Sequence, residues 1–339
     1  MKKTILLTGA AGFIGYHLAN KLVKLGHHIV ALDNLNNYYD KQLKLDRLKE
    51  LGFLKNDVEK YNSLVKSSIY SDKISFINID LSDSKTLNNL FKIFNFQIIY
   101  NLAAQAGVRY SLDNPKVYIE SNINGFFNLI DIARKNNIER FIYASSSSIY
   151  GNETQTPFNE KFKVDKPISL YAASKKTNEL IAHAYTHLYK METIGLRFFT
   201  VYGPWGRPDM AYYLFTDAVT KNNPIKVFNN GNLMRDFTYI DDIIDGLVLT
   251  LLKKSKSKKK YKLYNLGFGK PINLLKFIQI IEDETGKTTD KIMMPMQKGD
   301  VEKTWADTTE FNSDYGFKPK VNLNFGVKKF VEWYNSYVK

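Results

Sequence analysis

The chain has 339 residues, of which 44% are apolar and 24% charged, and a formal net charge of +14. It contains no cysteine, which excludes disulfides, thiolate nucleophiles and thiolate metal sites. No apolar run is long enough to span a bilayer, and the basic surplus leaves nucleic acid, an acidic membrane or an anionic small molecule as charge-matched partners.

The elements follow in chain order. Met1-Lys2-Lys3 and the apolar Thr4-Ile5-Leu6-Leu7 look like the start of a signal peptide, but the run ends at Thr8-Gly9, too short for an h-region. A cytoplasmic, soluble protein is expected. Thr4 to Thr8 reads as a strand and Gly15 to Leu25 as a helix. Between them lie Gly9, Gly12, Phe13, Ile14 and Gly15. Glycines in a strand-to-helix turn allow a dinucleotide pyrophosphate to approach closely. The helix N-terminus then supplies N–H donors and a positive dipole end. Alone, the glycines also suit a plain turn. The next strand, Ile29 to Asp33, ends in a carboxylate suited to ribose hydroxyls and hostile to a 2′-phosphate, so NAD is expected rather than NADP.

Residues 34 to 73 form an insertion with one or two helices and no assigned role. A strand from Ile74 to Asp80 ends at Asp80-Leu81, which is placed to reach the adenine or to make a simple turn. A helix from Lys85 to Phe94 and a strand from Ile98 to Ala103 follow, with Ala103 beside the cofactor. A helix spans Lys116 to Asn136, and a strand Phe141 to Ser145 runs into Ser146-Ser147-Ser148. The helix Tyr171 to Tyr189 carries Tyr171 and Lys175 four residues apart, on one face. An ammonium beside a phenol favours the phenolate and makes the tyrosine a base near neutral pH. The strand Ile194 to Phe199 completes an alternation that predicts an α/β fold with a doubly wound, Rossmann-type parallel sheet.

After Phe199 the Gly203-Pro204-Trp205-Gly206-Arg207-Pro208 run marks a smaller, mixed domain. Tyr239 to Leu252 and Tyr264 to Gly267 return to the sheet as a helix and a last strand. The predicted division is 1–200 plus about 238–267 for NAD, and about 201–237 plus 268–339 for the substrate. The lysine run 253–260 reads as a solvated loop, without a nucleic-acid module beside it. No His/Asp/Glu cluster has metal spacing, and no metal is expected. These residues alone point to an NAD-binding enzyme that moves a hydride.

Three longer segments say more. They are Ala103-Ala104-Gln105-Ala106-Gly107-Val108-Arg109-Tyr110-Ser111, the run Arg197 to Met210, and Arg235-Asp236-Phe237-Thr238-Tyr239-Ile240-Asp241-Asp242. With the glycine turn and the Tyr-Lys pair, they resemble the extended short-chain dehydrogenase/reductase family, in particular its nucleotide-sugar epimerases of the UDP-glucuronate 4-epimerase branch. The resemblance runs from Thr8 to about Asp307. It implies 4-epimerisation of UDP-glucuronate to UDP-galacturonate through a transient 4-keto sugar, with NAD as a bound cofactor. Tyr171 is then the base, Lys175 its electrostatic partner and ribose contact, and Ser146, counted back from Tyr150-Gly151, the third catalytic member.

Related dehydratases carry Asp-Glu after that hydroxyl residue, and decarboxylases carry Glu. Here Ser147 and Ser148 stand instead, which favours epimerisation and leaves a uronate carboxylate intact. The resemblance offers Arg235 for the diphosphate, Asp300 for the uridine ribose, Phe228 for uracil, and Arg207, Thr200 and Arg109 for the anionic sugar. A surface ion pair of Arg235 with Asp236, a turn role for Asp300 and a core role for Phe228 remain open. Epimerases of UDP-glucose or UDP-N-acetylglucosamine are the near alternatives. A decarboxylase or dehydratase, or a non-catalytic dinucleotide-binding regulator, is further off. Relatives dimerise through the helices near 116–136 and 171–189, so a homodimer without nucleic-acid or membrane partners is expected.

Overall fold

The central sheet forms where short runs rich in Ile, Leu, Val and Phe are covered on both faces, as parallel strands require. The computed structural model describes residues 2–297 and 299–338. Strand β1 (Thr4–Thr8), helix α1 (Phe13–Lys24) and β2 (His28–Asp33) open the chain. The insertion supplies α2 (Lys41–Glu50), α3 (Lys55–Val58) and β3 (Leu64–Ser67) before β4 (Ser71–Asn78). Then come α4 (Ser84–Ile93), β5 (Ile98–Asn101), α5 (Tyr110–Asp113), α6 (Pro115–Tyr118), α7 (Gly125–Lys135), β6 (Arg140–Ser146), α8 (Leu170–Tyr189) and β7 (Glu192–Phe198).

The strand order is β11-β7-β6-β5-β1-β2-β4-β3, with β11 at Tyr261–Leu266. Every pair is parallel except β3 with β4. The antiparallel edge comes from the insertion, whose sequence suggested helices only. Side chains alternate between the faces of β1. Ile5 and Leu7 join the core on one face, and Leu6 joins the core under α4 and α7 on the other. Strand order reverses between β1 and β5, which opens a crevice at the carboxyl ends.

The helix expected from Lys116 to Asn136 is broken. Between α6 and α7, residues Ile119–Asn124 form a π-helical turn. Its consequence is local. Asn122 is buried, donates to the Gln105 carbonyl at 3.0 Å and to Ser174 Oγ at 3.0 Å, and accepts from the Gln105 N–H at 2.7 Å. A π-turn trades regular packing for a redirected side chain, and here it joins the 103–109 loop to α8.

The remaining elements are β8 (Thr200–Tyr202), α9 (Ala211–Thr220), β9 (Ile225–Val227), β10 (Met234–Tyr239), β12 (Pro271–Asn273), α11 (Leu274–Thr285), β13 (Lys291–Met293), α12 (Thr309–Tyr315) and α13 (Leu323–Tyr337). Most of them lie over the carboxyl ends, while the short helix α12 packs beside β11. Strands β12, β10 and β8 make a second small sheet. Phe237 stacks on Phe277 of α11 with ring centres 4.0 Å apart, fixing that sheet to its covering helix. Helix α10 (Ile240–Leu252) and β11 return to the main sheet, as their apolar patterns predicted.

Candidate active site

The β1–α1 turn is shaped by what its glycines lack. Gly9 has φ +71°, and a Cβ there would sit 2.7 Å from Ala103 N. A Cβ on Gly15 would clash with the Gly9 carbonyl, so the first turn of α1 rests directly on the loop. Helix α1 begins at Gly12 without a side-chain cap and without an acid in its first turn. The N–H groups at Phe13 and Ile14 therefore remain open for an anion.

Asp33 ends β2 and is held by two backbone donors, Ala11 N at 3.1 Å and Leu35 N at 2.9 Å. Asp80 accepts from the Asn34 amide at 2.7 Å and from Ser82 N and Oγ at 2.8 and 2.7 Å. Burial pushes its pKa up, but these donors outweigh burial and hold it below the usual carboxylate value.

The catalytic candidates meet where β6 ends. Ser146 Oγ accepts from Ser148 N at 3.1 Å and donates to Ser148 Oγ at 3.0 Å. Helix α8 starts on the Ser169 cap, which accepts from Ala172 N at 3.1 Å. One turn separates Tyr171 from Lys175. Lys175 is 3% exposed and donates to the Ala144 carbonyl at 2.8 Å. Burial lowers its pKa to about 8. Burial raises the Tyr171 phenol, and the Ser146 hydroxyl and the Arg207 guanidinium pull it back part of the way. Arg207 is thus a further cation in the surroundings of the phenol, beside the buried Lys175 one turn along the helix.

Arg207 binds Asp209 through Nε at 3.0 Å and Nη2 at 2.6 Å. Among the described residues its Nη1 has no protein partner. Arg109 donates to Asp300 at 3.1 Å and lies 5.4 Å over the Phe228 ring. Arg235 donates to the Met234 and Glu302 carbonyls. Burial lowers its pKa, Asp300 opposes that shift and Arg109 adds to it, so the three charges form one group. The ion pair of Arg235 with Asp236 is not formed. Asp236 is fully buried and accepts from Phe268 N, Gly269 N and Ala306 N at 2.9, 2.9 and 3.0 Å. Phe228 is only partly buried and faces the cleft rather than filling the core.

Gly9, Gly12, Phe13, Ile14, Gly15, Asp33, Asp80, Arg109, Ser146, Tyr171, Lys175, Arg207, Phe228, Arg235 and Asp300 line one cleft of about 1050 Å³, together with Leu81, Ala103, Ser147, Ser148 and Thr200. The profile of the NAD dependent epimerase/dehydratase family matches residues 5–267. The chain belongs to that family. It is 45% identical to protein CapI of Staphylococcus aureus, with 99% of each chain covered. It is 42% identical to UDP-glucuronate 4-epimerase 4 of Arabidopsis thaliana, covering 98% of this chain and 76% of the relative. Among solved structures, UDP-glucuronic acid 4-epimerase from Bacillus cereus, in complex with UDP-glucuronic acid and NAD, superposes with a TM-score of 0.87 at 29% identity, over 98% of this chain and 99% of that one.

The cofactor of this epimerase family member is NAD, and its residues fit the dinucleotide. A Cβ would fill the glycine cradle, the helix start is uncapped, and a carboxylate stands at the end of β2. Several cleft residues escaped sequence reasoning. Asn34, Asn36, Tyr38, Tyr39 and Lys44 all come from the insertion. Lys44 is 5% exposed, donates to Asn36 Oδ1 at 2.8 Å and lies 3.8 Å from Asp33. The Tyr38-Tyr39 pair was the one available signal. Asn122 had none, because its role depends on the π-turn.

Proposed function

We propose that the protein inverts carbon 4 of UDP-glucuronate to give UDP-galacturonate, with Ser146, Tyr171 and Lys175 as its catalytic group. The observation that carries this reading is the meeting of Tyr171, the uncharged Ser146-Ser147-Ser148 run and Arg207 in one cleft. Tyr171 accepts the proton of the 4-hydroxyl and later returns one, with the Ser146 hydroxyl and the Arg207 guanidinium favouring its phenolate against burial. NAD, when bound, would supply the redox chemistry at carbon 4 as a reversible hydride acceptor. Gly9, Gly12, Gly15, Asp33 and Asp80 would hold it, with Lys175 at its ribose.

Ser146 hydrogen-bonds the 4-oxygen in both directions of transfer. Arg207 Nη1, Ser147, Ser148 and Thr200 take the uronate carboxylate. A guanidinium and neutral hydroxyls suit an anion, and the neighbouring Asp209 carboxylate is paired with Arg207 Nε and Nη2. Arg109 and Arg235 neutralise the diphosphate, while Phe228 and Asp300 receive the uridine. The keto sugar turns over within the single cleft while Arg109 and Arg235 hold the diphosphate.

We further infer a cytoplasmic homodimer that feeds UDP-galacturonate to surface-polysaccharide synthesis. Apolar side chains left open on two neighbouring helical segments support the dimer. Ile119 and Phe127 are 40% and 47% exposed, and Leu180 is 59% exposed. Light scattering on the purified protein tests it, and a monomer at micromolar concentration would reject it. For the reaction, NMR of UDP-glucuronate incubated with the protein is expected to reveal UDP-galacturonate. UDP-glucose and UDP-N-acetylglucosamine in parallel separate the alternatives. Release of carbon dioxide, or turnover of UDP-glucose alone, would overturn the assignment.

A further inference from the structure

The insertion between β2 and β4 carries a charge that the proposed reaction leaves unused. Arg47 of α2 is fully buried. Its hydrogen bonds all go to neutral oxygens. Nη1 donates to the Ala11 carbonyl at 2.9 Å and to the Tyr39 hydroxyl at 2.6 Å. Nε and Nη2 donate to the Trp205 carbonyl at 3.1 and 2.7 Å, and Nη2 reaches the Gly206 carbonyl at 3.4 Å. Burying a cation without a carboxylate is expensive. Simple packing of a helix would be served better by an apolar side chain.

What Arg47 joins gives the expense a purpose. Ala11 sits in the dinucleotide turn, and its N–H is one of the two that hold Asp33. Trp205 and Gly206 immediately precede Arg207. Trp205 has φ +63°, a left-handed backbone that bulky side chains rarely accept. Such a conformation persists only when its surroundings fix it. Two donors from Arg47 fix the carbonyl. Tyr16, Trp333 and Tyr337 hold the indole, with ring centres 5.7, 5.4 and 5.2 Å away. Tyr337 in turn donates to Asp46, next to Arg47 on α2. Beyond the strained turn, the Arg207 N–H donates to Tyr212 Oη at 3.0 Å, which sets the root of that side chain.

We propose that Arg47 is a positioning residue that locks the left-handed Trp205 turn onto the dinucleotide loop and so aims Arg207 at the carboxylate of the sugar. This rests on the assignment of Arg207 to a uronate carboxylate. It makes cofactor binding and recognition of an anionic sugar two sides of one linkage, since coupling between binding sites is reciprocal. The insertion thereby gains a role, with α2 as the clasp between the two halves of the cleft.

The test uses NAD-loaded full-length protein with Arg47→Lys, Arg47→Met, Arg207→Met and the double variant Arg47→Met/Arg207→Met. Calorimetry gives the Kd for UDP-glucuronate and UDP-glucose, steady-state assays give KM and kcat, and heat-released NAD gives cofactor content. Arg47→Met is expected to weaken UDP-glucuronate binding roughly 10-fold or more, within the usual range of site-to-site coupling. UDP-glucose binding and kcat should change little, NAD retention should fall, and Arg47→Lys should restore part of each loss. In the Arg207→Met background, Arg47→Met should weaken UDP-glucuronate binding no further.

A merely structural role would lower the melting temperature and the active fraction without moving the Kd ratio of the two sugars, and would overturn the proposal. Additive losses in the double variant would overturn it too. If Arg47→Met does not fold, Arg47→Lys, alone and combined with Arg207→Met, carries the same comparison. If the wild type binds UDP-glucuronate but does not convert it, the reaction assignment fails, while the calorimetric series still decides the role of Arg47. If the wild type does not bind it, both fall.

Discussion

The two ends of the central sheet are built from the same strands and helices yet carry opposite chemistry. At the carboxyl end, α1 begins with its N–H groups open, glycines stand where side chains would block, and the polar groups converge on one cleft. At the amino end, α7, α8 and α10 finish, and lysines and arginines gather. Lys190 Nζ donates to the His187 carbonyl and Lys260 Nζ to the Lys190 carbonyl, each at 2.7 Å. Arg140 donates to the Thr250 and Lys253 carbonyls. Helix carboxyl ends carry partial negative charge and unpaired carbonyls, which cations satisfy. These three cations of the basic surplus thus serve the fold's own helix ends. The cations of the cleft, Lys44, Arg109, Lys175, Arg207, Lys226 and Arg235, come instead from separate elements.

This contrast can be broken by substitution. Gly15→Ala should have the largest effect, because its Cβ meets the Gly9 carbonyl. The expected outcome is protein purified without NAD and without turnover, read from the absorbance of heat-released cofactor. Tyr171→Phe should keep NAD and the melting temperature yet lower kcat by roughly 10²- to 10⁴-fold, as loss of a general acid–base group does. A kcat within threefold of wild type would remove Tyr171 from the chemistry. Arg207→Met should cost about 2 kcal/mol or more in kcat/KM for UDP-glucuronate, the scale for truncating one side of a charge pair. Its effect on UDP-glucose should be much smaller, and equal losses on both sugars would mean that Arg207 does not read the carboxylate.

Lys175 sharpens the comparison through pH. Its pKa is about 8 in the fold, against an ordinary 10.5. Between these values the unfolded chain binds one more proton than the folded chain, so this group makes stability rise with pH across that window. Denaturant titrations at pH 8 and 10 should therefore show a smaller gain, or a larger loss, for Lys175→Met than for wild type. Identical pH slopes would show that the buried amine carries no such shift. At the other end, replacing Lys254, Lys258 and Lys259 with Ser should change kcat/KM less than twofold, since these solvated charges lie far from the cleft. A larger loss would mean that the amino end takes part in substrate capture.

The sequence by itself determined the alternating sheet, the glycine turn, Asp33 and the Tyr171–Lys175 pair. Each depends on a short-range rule: strand period, helix face, or a turn that only glycine fits. It also placed the serine run beside the start of α8, because β6 leads directly into that run. Only the tertiary structure decided what else surrounds the phenol, since Arg207 arrives from a different loop and Lys175 also bonds a β6 carbonyl. The same holds for Asp236, which abandons its neighbour Arg235 for three backbone donors at the far side of its strand. Asn122, Lys44 and Arg47 were illegible for one physical reason. Their partners lie 17, 8 and 158 residues away, and a bond closed by a π-turn, an insertion or a strained loop leaves no periodic mark on the chain.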